Sequence, residues 1–106
     1  MEADINKLDQ ICSDIAGVGM GLMEGTVSFS YDNLMSAMKC GHPCEILDEI
    51  FQDVYFSVVQ RKEPSMSKLE KTLRDLKKFK KAFEIKELDE PLKELAEYIK
   101  ARKVTE

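Results

Sequence analysis

A single histidine, His42, is all the imidazole in this chain. Nucleophilic catalysis needs a base beside the nucleophile, so that shortage leaves almost no room for a Ser–His or Cys–His site. Carboxylates are plentiful, but on the third and last predicted helices they fall on outward faces, where water keeps them ordinary; acid–base chemistry needs a shifted, partly buried group. The expectation is a protein that is not an enzyme and uses no cofactor.

Cysteine is scarce and odd in number, at three, which favours reduced thiols over a disulfide framework. Long apolar runs are missing. The charge-free stretch from Ile15 to Met23 falls well short of the ~20 residues a spanning helix needs. Glu2 and Asp4 stand where a secretory signal would carry positive charge, so neither export nor membrane insertion is expected and the predicted location is cytoplasmic. With only five glycines and three prolines against 43% hydrophobic and 34% charged residues, the composition is that of a folded globular chain. At 106 residues it is read as one domain, residues 1–106.

What is present is helical patterning. From about Ala3 to Glu24, the residues Leu8, Ile11, Ile15, Val18 and Leu22 recur at steps of three and four, the period of a helix buried along one seam. Beside that seam runs a stripe of small residues, Ser13, Gly17, Gly21 and Gly25. Each such glycine costs about 1 kcal/mol of helix propensity relative to alanine, and close approach of another backbone is one compensation; a helix weakened or ended near Gly17 is the other reading. Gly17, Gly19 and Gly21 only superficially resemble a phosphate cradle, since the strand, the acidic residue and the Gly-Lys-Ser/Thr ending are absent.

Val27, Phe29 and Tyr31 alternate with polar residues, a weak strand signal read as an extended link. A short helix is predicted from Ser30 or Asp32 to Cys40, then a longer one from Pro43 to about Arg61 with a broad apolar face. Two stripes make up that face: Ile46, Ile50, Val54 and Val58, and Leu47, Phe51, Tyr55 and Val59. Ser67 with Glu70 is read as a capping box for the next helix, whose buried side is Leu69, Leu73, Leu76, Phe79 and Phe83. Asp89 is expected to cap a last helix with Pro91 in its first turn and Leu92, Leu95, Ala96 and Ile99 inward. The predicted fold is an all-α bundle of four to five helices.

The stretch Cys40-Gly41-His42-Pro43-Cys44 looks chemical, because thiolates and imidazole bind zinc and Cys12 would complete a four-ligand set of Cys12, Cys40, His42 and Cys44. No second paired cluster exists, and the cysteine spacing is one residue too long for a redox C-x-x-C pair. A structural corner explains every residue: Gly41 ends one helix and Pro43 opens the next. No metal is expected there.

Charge is split along the chain. Residues 1–60 hold two bases against ten acids, whereas residues 61–106 hold fourteen bases against ten acids. Two binding readings follow. In the first, the helix surface around Gly17, Met20, Gly21 and Met23 docks another protein, because methionine adapts to irregular partners; the protein is then a regulator, adaptor or inhibitor, and it is expected to self-associate as a homodimer. In the second, Lys71, Arg74, Lys77, Lys78 and Lys81 form a basic face that binds nucleic acid through phosphates. The first is preferred, since the chain as a whole carries a net charge of −4 and Phe79 and Phe83 fall on the buried side, unavailable for stacking.

Overall fold

The seam residues Leu8, Ile11, Ile15, Val18 and Leu22, joined by Cys12, form the buried stripe of helix α1, Ile5–Glu24. The computed structural model describes residues 5–30 and 43–105. The helix predicted between Ser30 and Cys40 falls largely outside that range, as do Cys40 and His42. Gly25 follows α1 at φ +83°, a left-handed conformation that suits glycine and lets the chain reverse. The amides of Thr26 and Val27 then both donate to the Gly21 carbonyl, at 2.8 and 3.1 Å.

Residues 26–30 form the extended link, with no strand among the described residues. Val27 and Phe29 of its apolar pattern pack against the core, and the Ser30 amide donates to the Phe83 carbonyl at 2.8 Å; Tyr31 lies outside the described residues. Helix α2 spans Pro43–Val59, with proline at the first position, where its missing N–H costs nothing. Leu47, Phe51, Val54 and Val58 are buried. The apolar face read from the sequence is broader than this. Ile46 and Ile50 are half-buried, while Tyr55 and Val59 are exposed: among the described residues α2 packs chiefly on α1 and α3, and the outer edge of a stripe this wide turns toward water.

Helix α3 spans Met66–Phe83 and buries Leu69, Thr72, Leu76, Phe79 and Phe83. Its cap is Ser65, not Ser67: the Ser65 hydroxyl accepts from the Lys68 amide at 3.3 Å. Starting two residues earlier lets the half-buried Met66 pack against the core. At its far end Glu84 adopts φ 55°, ψ 49°, and the Ile85 amide donates to the Lys80 carbonyl. A 3₁₀ turn, Lys86–Leu88, leads directly into α4, Asp89–Thr105. Asp89 is therefore not a cap. It is already helical at φ −54°, ψ −51°, and its carboxylate pairs with Lys80 across the α3–α4 turn. Leu92, Leu95 and Ile99 face inward as expected, Ala96 is half-buried, and Tyr98 is buried beside them.

Helix α1 packs on α2 and α4, and α3 packs on the same two, which is the ring of neighbours of a four-helix bundle. Side-chain contacts fix the directions. Arg61, just past α2, reaches Asn6 and Asp9 at the start of α1; Arg102 near the end of α4 donates to the Pro64 carbonyl just before α3; Lys103 meets Glu70 at 3.0 Å. Adjacent helices thus run antiparallel around one core, with Leu8, Leu47, Leu69, Leu76 and Leu88 fully buried within it. No helix among the described residues is long and apolar enough to cross a membrane.

Candidate functional site

The ring arrangement separates charge. Helices α1 and α2 carry seven acids and one base, α3 carries seven bases and two acids, and α4 carries four of each. One side of the bundle is therefore acidic and the α3 side basic. Among the described residues, a groove lies on each side.

The acidic side's groove runs between α1 and α2. Ala16, Gly19, Met20 and Met23 line it from α1, and Cys44, Leu47, Asp48, Phe51 and Tyr55 from α2, with Glu45 on the rim; its volume is about 330 Å³. The α1 set repeats at i, i+3, i+4 and i+7, one continuous helical stripe adjoining the buried seam. Leu47 and Phe51 form a floor that is already buried. Met20 and Met23 stand up from α1 at 52% and 61% exposure, and Tyr55 stands opposite, its ring braced on Phe51 at a centroid distance of 5.6 Å. Phe56 and Val59, also exposed, continue apolar surface along the outer side of α2. Glu45 and Asp48 are exposed at the rim, and among the described residues no cation lines the groove.

The four docking residues expected from the sequence are thus divided. Met20 and Met23 line the groove. Gly17 lies on the outer face of α1, with nothing within 4 Å of where a Cβ would stand. Gly21 is buried beneath the link: a Cβ there would lie 2.4 Å from Val27 Cγ2 and 3.1 Å from Thr26 Oγ1. Its smallness serves the chain reversal after α1 and not a docking surface. Gly19, which the four-residue glycine stripe left aside, is the glycine in the groove, 3.5 Å from Leu47 Cδ2 at the position of a Cβ. The signal that would have found it is the Ala16, Gly19, Met20, Met23 spacing.

These placements give opposite expectations for two similar changes. Gly17→Ala should stabilise the protein by roughly 1 kcal/mol, raising Tm by about 4 °C, since it gains helix propensity and touches nothing. Gly21→Ala should instead destabilise it by about 1–2 kcal/mol, because a stiff β-branched side chain and the backbone carrying it must move. Thermal unfolding followed by circular dichroism distinguishes the two.

On the basic side, Lys71, Arg74, Lys77, Lys78 and Lys81 are all exposed, along about 15 Å of helix. A groove of about 480 Å³ between the end of α3 and the start of α4 gathers Lys77, Lys80 and Lys81 with Lys93. Lys80 and Lys93 escaped the sequence reading, the first because it lies at the edge of the basic arc, the second because it belongs to another helix. Asp89 enters this groove as an opposing charge.

The thiols separate as well. Cys44 is half-buried in the α1–α2 groove, whereas Cys12 is a core residue at 2% exposure. Burial, with the Asp9 carboxylate adding to it, pushes the Cys12 thiol from 9.0 up to about 12. It is protonated at neutral pH and in that form is neither nucleophile nor metal ligand. Because its proton is held more tightly in the folded state, this thiol contributes stability that is present below pH 9 and declines as pH rises from about 9 toward 12. Cys12→Ala should therefore flatten the alkaline limb of a stability–pH curve, measured by urea unfolding. Among the described residues, no three histidine, cysteine or acidic side chains are grouped so as to hold a metal ion.

No family model, curated protein or solved structure matches this chain.

Proposed function

We propose that this protein is a non-enzymatic interaction module, a regulator, adaptor or inhibitor that binds a partner protein in the groove between α1 and α2. The observation that carries this reading is the placement of Met20, Met23 and Tyr55, all at least 36% exposed, around a floor of buried apolar side chains. Large apolar side chains gathered at one surface concavity mark interaction sites, whereas single scattered ones do not. Methionine walls add adaptability, because the unbranched thioether side chain repacks at small cost.

Photo-crosslinking in the source cell tests it. A crosslinking residue placed at Met20, Met23 or Tyr55 should capture the same protein from all three positions, and the same residue at Gly17 or Lys78 should not. Capture from Lys78 with none from the groove would overturn the proposal. If the species captured is a second copy of this chain, the partner is itself and the module is a homodimer.

A second reading is favoured by the convergence of Lys77, Lys80, Lys81 and Lys93 on one groove: a polyanion, nucleic acid included, bound on the α3 side. Its mark is salt dependence, since neutralising several phosphates makes affinity fall steeply with ionic strength. Oligonucleotide retention at low salt that disappears in a Lys71→Glu, Arg74→Glu, Lys78→Glu triple variant would select this reading; absence of any retention removes it.

A further inference from the structure

We infer that the occupant of the α1–α2 groove is a cationic amphipathic helix of a partner protein, its apolar side seated between Met20, Met23 and Tyr55 and its lysines or arginines against Glu45 and Asp48. This deepens the interaction-module reading and rests on it.

The shape selects a helix. Two antiparallel helices leave a straight trough between them, and ridges of a third helix fit such a trough. Among the described residues the groove offers no sheet edge, so an extended segment would bury backbone N–H and C=O groups without partners; a helix satisfies them internally. Nor does the site suit a small molecule. Sites of that kind enclose most of their ligand, whereas the walls here are methionines still more than half exposed.

The charge selects the sign. Glu45 and Asp48 border the groove, Asp53 lies exposed further out on α2, and among the described residues no lysine or arginine lines it. An acidic helix would set like charges against both rim carboxylates. Complementary charge at a rim speeds encounter and rejects wrong partners more than it deepens affinity.

The chain's own cationic helix does not fit. The side of α3 that faces water holds Ser67, Lys68, Glu70, Lys71, Arg74, Lys77, Lys78 and Lys81, with no large apolar residue to enter the groove. A second copy docked through α3 would satisfy charge and leave Phe51, Met20 and Met23 uncovered. A helix of another protein, with apolar anchors at i, i+3, i+4 and i+7 on one side and basic residues on the other, meets both demands.

The test uses the full chain and three synthetic helical peptides of about 18 residues, long enough to be helical when bound. All share one leucine side and differ only in a lysine, glutamine or glutamate polar side; binding is read by fluorescence anisotropy. The lysine peptide should bind about tenfold tighter than the glutamine peptide, through a few exposed ion pairs that are individually weak, with the glutamate peptide weakest. Glu45→Gln with Asp48→Asn should erase that ranking while the leucine-dependent binding persists. Met20→Ser with Met23→Ser should remove binding of all three. Equal binding of the three peptides to the native protein, lost in the methionine variant, would overturn the cationic assignment and leave the interaction module standing. Lysine-peptide binding indifferent to the methionine pair would overturn both, as would the absence of binding by any peptide. A dimer in sedimentation that the methionine variant dissolves would name a second copy as occupant and overturn the inference.

Discussion

Replacing Phe83 with alanine is expected to lower the unfolding free energy by about 3–5 kcal/mol, the usual cost of emptying a buried aromatic site. Phe83 is 1% exposed and holds more than its own helix. Its ring meets Phe79 at 4.9 Å and stands edge-on to Phe29 at 6.4 Å, and its carbonyl accepts the Ser30 amide. The link after α1 is thus tied to the end of α3 by one ring contact and one backbone bond. Two residues on, Ile85 is fully buried where the chain turns toward α4. Removing the ring leaves a cavity where three segments meet, and collapse is limited because α3 and α4 are locked by their turn. Against a total of about 5–15 kcal/mol for a domain of this size, such a loss consumes much of the stability. Urea unfolding should show a much lower midpoint with an unchanged slope. Leu73→Ala, at a half-buried position on the same helix, should cost far less.

The second large effect concerns binding alone. Met20→Ser combined with Met23→Ser is expected to weaken partner binding about 100-fold or more, at roughly 1–2 kcal/mol for each anchor side chain removed from an interface centre. The same pair should leave Tm nearly where it was. Both side chains are more than half exposed in the free protein, and surface changes away from caps, cores and buried polar groups stay within about 0.5 kcal/mol each. The separation of the two readouts is informative: a fold defect would move both together. Titration of the captured partner, or of the lysine-sided peptide in its place, alongside thermal unfolding measures the pair.

Much of the architecture was legible because burial imposes a period. The seam of α1 and the buried side of α3 stand in the sequence at steps of three and four, and the structure buries all of them but Leu73, which is half-buried. Local capping chemistry was less decisive. Ser65 and Ser67 are both competent caps, and the choice between them is made by whether Met66 gains a place against the core, a tertiary matter. Asp89 has the composition of a cap, yet the 3₁₀ turn before it already continues the helix and its carboxylate serves an ion pair with Lys80. Tyr98 lies three residues after Leu95, at helical spacing, and was passed over because tyrosine is as often found at surfaces as in cores.

The candidate site was half legible. Methionines displaced from a seam point to exposed apolar surface, and Met20 and Met23 are indeed where the groove is. The glycine stripe divides, because spacing shows that small residues share a face without showing what lies above them. Gly21 is covered by the chain's own link and Gly17 by nothing. The other wall of the groove, Tyr55 over Phe51, was unreadable: those residues belong to a stripe that looks wholly buried until the ring of neighbours around α2 is known. Likewise the opposition of acidic and basic sides was visible as a charge split along the chain, but the grooves themselves exist only once α1 meets α2 and α3 meets α4.

The most direct measurement is a methyl spectrum of protein labelled at the methionine methyl carbons, titrated with the lysine-sided amphipathic peptide. The methyls of Met20 and Met23 should shift and broaden together, while that of Met66, half-buried near the start of α3, stays fixed. Unmoved Met20 and Met23 signals at a peptide concentration that saturates binding would contradict the account.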